Sequence, residues 1–131
     1  TQLATYVFIL HQTYCTHHGG LVKAGQHYPL SEKDVQRLGN TYHAICNLFR
    51  DTPIAEARSY LEDVQNIRGY IARIRTAIAH HIDDQDVNFY TPQDTTDKSR
   101  YYIAIESTKI LMRTASGDMM FVDYPLWKTL K

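Results

Sequence analysis

The sequence contains few of the residues that build disulfide frameworks and metal sites. Among its 131 residues there are two cysteines, Cys15 and Cys46, which are far apart and form no CxxC pair. This spacing excludes a multi-disulfide scaffold and a zinc ribbon. A Gly-rich phosphate loop, a nucleophile elbow and an HExxH helix are also missing. We therefore expect a protein of a reducing compartment, the cytoplasm, that uses no metal and no cofactor.

An excess of charge and long apolar runs are missing as well. Fourteen Lys and Arg balance fourteen Asp and Glu, so we expect no strongly basic envelope that coats nucleic acid through many phosphate contacts. Any contact with RNA or DNA must then be local. Because no apolar run approaches the roughly 18 residues that span a bilayer, we expect a soluble protein without a membrane partner. The chain begins at Thr1, which is compatible with a longer parent protein.

Apolar residues spaced three or four apart predict three helices, over about 2–15, 32–50 and 53–81. Ser31 opens SEKD, close to a capping box, and the pair Thr52-Pro53 is typical of a helix start. The first predicted stripe contains Leu3, Tyr6, Val7, Leu10 and Tyr14, and the second Val35, Leu38, Tyr42, Ile45, Leu48 and Phe49. The third contains Ile54, Ala57, Leu61, Val64, Ile67, Ile71, Ile74 and Ile78. Within this third helix, Gly69 suggests a bend or a close packing contact.

The remainder of the chain is more polar. Residues 83–98 predict a long loop, and RYYIAI, KILMRT and MMFVDY, with a turn at Ser116-Gly117-Asp118, suggest a β-hairpin. A fourth helix over 99–113 is the competing interpretation. We thus predict a mainly α fold, an up-down helical bundle with a small C-terminal β-hairpin. It would form a single domain with a helical body over about 2–82, the loop, and an appendage over 99–131.

The stretch RTAIAHH, residues 75–81, is the most informative part of the sequence. On an ideal helix Arg75 and His80 are about 140° apart, so they converge on one ligand only with a helix end, a distortion or a second chain. His81 lies seven residues after Ile74 and is expected to continue the buried stripe. His80 is therefore the more accessible histidine.

An Arg followed after four to six residues by His, at the end of a long helix in a small bundle, resembles the HEPN domains. RTAIAHH is especially similar to their abortive-infection branch, in which the histidine is often doubled. The resemblance covers roughly residues 2–82. It implies metal-independent RNA cleavage of the toxin or defence type, at a site assembled from two copies of the motif across a homodimer. An antitoxin or another regulatory protein would then be a natural partner.

Carried onto this chain, the resemblance implies that Arg75 binds the scissile phosphate and that His80 takes the proton of the attacking 2′-hydroxyl. An imidazole that titrates near neutral pH suits this proton transfer. Thr76 stands where the family often has asparagine. The spacing equally permits Arg73 with His80, or Arg75 with His81, so the sequence leaves the pairing open.

A non-catalytic interpretation accounts for the same residues. Histidines near a helix C-terminus interact well with the helix dipole, and arginines on such a helix are usually solvated. The chain would then be a helical dimerisation or protein-interaction module.

Three further clusters have structural interpretations that we prefer: a zinc-like spacing of His11, Cys15 and His18, the carboxylates Asp83, Asp84 and Asp86, and a base-stacking set of Arg100, Tyr101 and Tyr102.

Overall fold

The structure is a computed structural model that describes residues 2–14, 19–24, 28–50, 52, 60–105, 111–113, 115–117 and 119–121. The described part is mostly helical and carries a small antiparallel sheet. Its helices are α1 (Gln2–Tyr14), α2 (Glu32–Leu48), α3 (Tyr60–Ala79) and α4 (Val87–Tyr90). Its strands are β1 (Leu21–Val22), β2 (Gln93–Asp94), β3 (Arg100–Tyr102), β4 (Leu111–Arg113) and β5 (Met119–Phe121).

Helix α1 is the centre of the core, and its predicted apolar stripe is partly wrong. Phe8 and Ile9, which lie outside that stripe, are fully buried, whereas Leu3 within it is 52% exposed. The reason is that α1 contacts α2, α3 and the β1–β3 part of the sheet, so it is covered on several sides. A helix that is apolar around most of its circumference is a buried helix rather than an amphipathic one.

Helix α2 confirms its predicted start and its predicted stripe. The Ser31 hydroxyl accepts a hydrogen bond from the Asp34 N–H at 3.2 Å, which satisfies one of the unpaired donors at the helix N-terminus. Leu38, Tyr42 and Ile45 are buried. The rings of Tyr42 and Phe8 stack with their centroids 5.0 Å apart, which joins α2 to α1.

Helix α3 packs on α1 and α2 through Ile67, Ile71 and Ile74, which are buried as predicted. Gly69 faces open space, so it marks no close contact. The predicted helix start at Thr52-Pro53 and the stripe residues Ile54 and Ala57 fall largely outside the described residues. None of the described helices is both long and apolar enough to span a bilayer.

The prediction of a long loop over 83–98 is wrong in part, because this segment contains the short elements α4 and β2. The turn between β2 and β3 places these two strands side by side. The Asp97 carboxylate accepts hydrogen bonds from the Thr95 hydroxyl at 2.8 Å and from the Ser99 hydroxyl at 2.7 Å and N–H at 3.0 Å. These bonds lower the pKa of Asp97 to about 2. The polar composition that suggested a loop is thus the composition of a tight turn.

Strand β3 is the centre of the three-stranded antiparallel sheet, with the order β1-β3-β2. Leu21 pairs with Tyr101, and Gln93 pairs with Tyr102. Gly20 precedes β1 with a φ of +145°, and a Cβ at this position would overlap the carbonyl oxygen of Tyr101. The close approach of the two backbones therefore requires glycine.

The C-terminal hairpin is confirmed. Strands β4 and β5 pair antiparallel, with Leu111 opposite Phe121 and Arg113 opposite Met119. The competing helix over 99–113 is wrong, because both β3 and β4 fall within that range. The N–H of Ala115 donates a hydrogen bond to the carbonyl of Leu48 at 2.7 Å, which ties the turn of the hairpin to the end of α2.

Candidate functional site

The residues of the predicted site lie in the C-terminal half of α3 and in the two residues that follow it. The helical hydrogen-bond pattern extends one residue beyond Ala79, because the N–H of His80 donates to the carbonyl of Thr76 at 3.3 Å. The next N–H, of His81, donates to Ile78 at 2.9 Å, which is the tighter spacing of a closing turn. Up to His80, therefore, the regular helical geometry decides which side chains share a face.

Arg75 is engaged by the segment that follows the helix. Its Nε and Nη2 both donate to the carbonyl oxygen of Pro92, at 2.9 and 2.6 Å. Hydrogen bonds from a charged donor are stronger than neutral ones. The guanidinium of Arg75 thus links the end of α3 to Pro92, the residue that precedes β2. Two of its five N–H groups donate to Pro92, and the other three do not.

The surroundings of Arg75 include a carboxylate. Arg75 borders a surface pocket of about 460 Å³ together with Asn88, Gln93 and Asp94. Asp94 forms an ion pair with Lys23 at 2.6 Å. This hydrogen bond, with smaller contributions from other cations that include Arg75, lowers the pKa of Asp94. A phosphate that approached Arg75 from this pocket would meet the ionised Asp94 carboxylate.

Arg73 and His80 are placed differently. Both are exposed, and within the described part of the chain no hydrogen bond or ion pair engages either side chain. They are seven residues apart, which on a helix is about 20° of rotation and about 10 Å of rise. The two side chains therefore lie along one side of α3. By the same ideal geometry, Arg75 lies about 140° around the helix axis from His80.

A row of small, exposed residues runs beside Arg73 and His80. It consists of Gly69, Ala72, Thr76 and Ala79, and we call it the small-residue row. The Thr76 hydroxyl donates to the carbonyl of Ala72 at 3.1 Å, so its hydrogen-bond donor is satisfied within the helix. Such a surface allows another backbone to approach closely.

The prediction that His81 continues the buried stripe is wrong, because His81 is exposed. Its backbone lies in the turn that closes the helix, where the N–H of His81 bonds to the carbonyl of Ile78 three residues earlier. His81 instead lines a surface pocket of about 470 Å³ between the start of α1, the end of α3 and α4. Because His81 is exposed, we expect its replacement to leave the core stable.

Sequence reasoning missed this pocket, which we call the α1–α3–α4 pocket. Its other lining residues are Gln2, Leu3, Tyr6, Ile74, Ala77, Ile78, Ile82 and Tyr90. The Tyr6 hydroxyl donates to the carbonyl of Tyr90 at 2.7 Å, across 84 positions of sequence. No local pattern indicates that these two residues meet, so the sequence held no usable signal for the pocket.

Of the other candidate clusters, the structure describes the carboxylates of the 83–86 segment, the β3 residues and one zinc-spaced residue, His11. Among the described residues, no three His, Cys, Asp or Glu side chains are grouped closely enough to hold a metal ion. Cys15 and His18 lie outside the described residues. His11 is buried, and Gln12 donates a hydrogen bond to its Nδ1 at 2.9 Å. Burial, with a smaller effect of Arg37, lowers the pKa of His11 to about 4, so this imidazole is neutral at pH 7.

Comparison of the chain with protein-family models, with curated proteins and with solved structures found no match. The resemblance to HEPN domains therefore rests on RTAIAHH and on the helices around it.

Proposed function

We propose that the chain is a metal-independent endoribonuclease of the toxin or defence type, built as an up-down helical bundle of the HEPN kind and active as a homodimer. The observation that supports this most is the placement of Arg73 and His80 on one side of α3, both exposed and neither engaged by a described contact. A guanidinium and an imidazole on one face supply the two groups that cleavage of RNA by its own 2′-hydroxyl needs.

The proposed reaction uses these groups as follows. The His80 imidazole takes the proton of the 2′-hydroxyl, and the 2′-oxygen attacks the adjacent phosphorus. The bond from phosphorus to the 5′-oxygen breaks, and the leaving oxygen takes a proton from water. The products are a 2′,3′-cyclic phosphate and a 5′-hydroxyl. The arginine neutralises the charge that develops on the phosphate oxygens.

Of the two arginines, the described contacts favour Arg73 as the phosphate ligand. Arg75, which the sequence favoured, already donates two hydrogen bonds to Pro92 and faces Asp94. Arg73 has no such described hydrogen bonds and does not line the pocket that contains Asp94. In this account Arg75 is a positioning residue that holds the end of α3, and Thr76 contributes to the small-residue row rather than to phosphate binding.

The contrast between the two arginines tests the proposal. Arg73→Ala should abolish RNA cleavage in excess chelator and leave the free energy of unfolding unchanged, since its side chain is exposed. Arg75→Ala should lower the free energy of unfolding by about 1 to 3 kcal/mol, since it loses charged hydrogen bonds. Cleavage rates and urea unfolding midpoints measure the two effects. If Arg75→Ala keeps its stability but loses cleavage while Arg73→Ala stays active, the pairing inferred from the sequence is the right one.

The proposed dimer interface is the small-residue row of α3. Two helices that face each other with small side chains can pack closely, and the Arg73 and His80 of each copy would then lie at the edge of the interface. Ala72→Glu would place a charge in this interface and should convert the dimer to a monomer at micromolar concentration, as measured by light scattering. Gln36→Glu, at an exposed position of α2, is the control and should remain dimeric. A wild-type protein that is monomeric under these conditions would contradict the interface.

The second candidate function is a non-catalytic dimerisation or interaction module. It is favoured by the exposure of two large apolar side chains, Leu3 at 52% and Phe89 at 47%, which are available to a protein partner. A purified dimer that cleaves no RNA would support this function.

A further inference from the structure

We propose that the α1–α3–α4 pocket receives one unpaired nucleobase of a single-stranded RNA whose neighbouring phosphate lies against Arg73 and His80. This inference rests on the proposed function and names its substrate class: RNA with exposed bases rather than a continuous duplex.

The walls of the pocket suit a planar, largely apolar group. Ile74, Ile78 and Leu3 contribute aliphatic surface, and Tyr6 and Tyr90 contribute aromatic rings. The volume of about 470 Å³ falls within the range of small-molecule sites. Every nucleobase has a π-face that stacks on aromatic side chains, whatever its sequence identity.

The hydrogen bonding of Tyr6 fixes one wall. Its hydroxyl is committed to the carbonyl of Tyr90, and burial raises its pKa to about 12, so it remains protonated at neutral pH. A ring held in this way is a preorganised surface for stacking. Gln2 and His81 are the polar side chains that line the pocket, and they can donate to or accept from the edge of a base.

The pocket adjoins the proposed cleavage site through Ala77. This residue is four positions after Arg73 and three before His80, and residues at these spacings are neighbours on a helix surface, with about 5 to 6 Å between Cβ atoms. A base next to Ala77 would therefore have its own phosphate close to Arg73 and His80.

The charges around the pocket indicate on which side of it the RNA backbone lies. Asp83 and Asp84 are exposed and follow the lining residue Ile82, so they repel phosphates at that end. The backbone of the RNA must then pass on the side of Arg73.

The pocket selects single-stranded RNA. In a duplex the faces of the bases are covered by stacking, whereas the bases of a single strand are free to turn outward into a pocket.

Filling the pocket tests this inference. Ala77 is exposed and lines the pocket, so Ala77→Phe should occupy the space of the base without disturbing the core. The probe is a fluorescent 2′-O-methyl oligonucleotide of eight uridines, which cannot be cleaved by its own 2′-oxygen. Its affinity, measured by anisotropy, should fall roughly tenfold or more, the loss expected when one stacked base is lost. Gln36→Phe is the matched control and should bind like the wild type.

An oligonucleotide of the same length without bases isolates the contribution of the base. Ala77→Phe should bind this abasic chain as well as the wild type does, because the phosphates contact Arg73 and not the pocket. Tyr90→Leu, which keeps an apolar side chain but removes a ring, should weaken binding of the uridine probe in the same direction. This second variant decides the matter if Ala77→Phe does not fold.

The outcomes separate the pocket from the cleavage reaction. If RNA is cleaved but Ala77→Phe and Tyr90→Leu bind the uridine probe like the wild type, the pocket proposal is overturned and the proposed function stands. If no RNA is cleaved and both variants still weaken binding, the pocket proposal stands as an RNA-binding site and the proposed reaction fails. If the wild type does not bind the probe, the pocket proposal is overturned.

Discussion

Replacing His80 with alanine should lower the rate of RNA cleavage by about 10²- to 10⁴-fold, the usual contribution of a general base. His80 is exposed at the end of α3 and lies on the side of the helix that carries Arg73. Because the His80 side chain is exposed and not part of the core, the urea unfolding midpoint should equal that of the wild type. Initial cleavage rates in excess chelator, with the unfolding curve of the same preparation, measure both quantities.

The neighbouring histidine provides the contrast. His81 lines the α1–α3–α4 pocket and would contact the bound base, so His81→Ala should raise KM more than it lowers kcat. Loss of a group that acts only in the transition state instead lowers kcat. The reverse pattern would assign the general base to His81. In that pattern His80→Ala cleaves RNA like the wild type, whereas His81→Ala is folded but has a much lower kcat.

Replacing Phe8 with alanine should destabilise the fold by about 3 to 5 kcal/mol, the cost of truncating a fully buried aromatic side chain. Phe8 is 0% exposed and stacks on Tyr42, so its removal leaves a cavity at the junction of α1 and α2. This loss is a large fraction of the 5 to 15 kcal/mol by which a domain is typically stable. Urea denaturation followed by circular dichroism gives the free energy of unfolding.

Phe89 is the matched control for Phe8. It is 47% exposed and forms an edge-to-face contact with Tyr90 at 5.2 Å, so Phe89→Ala should cost about 1 kcal/mol or less. Equal effects of the two substitutions would contradict the assignment of α1 as the centre of the core.

The sequence was most informative where one face of a helix is buried and the other exposed. The stripe of α2 and the described part of the stripe of α3 follow the spacing of three and four residues, and Ser31 caps α2 as its residue type predicts. The buried residues of helix α1 could not be predicted in this way, because α1 is covered on several sides. Its burial of Phe8 and Ile9 depends on the arrangement of the neighbouring elements, which periodicity does not contain.

Long-range contacts account for what the sequence did not show about the site. The pattern pointed to the end of α3 and ranked Arg75 above Arg73 as the phosphate ligand. That ranking changes because Arg75 donates to Pro92, 17 residues further along the chain. Likewise, β1 acquires its strand conformation by pairing with β3, about 80 residues away in sequence, and two residues in isolation carry no strand signal.

The product of the reaction tests the central claim most directly. A single-stranded RNA incubated with the purified protein in excess chelator should yield fragments that end in a 2′,3′-cyclic phosphate, identified by mass spectrometry. A single 2′-deoxy substitution at the cleaved position should abolish cleavage there, because the nucleophile would be missing. Cleavage that needs a divalent metal, or that persists at the 2′-deoxy position, would contradict an Arg73 and His80 ribonuclease site.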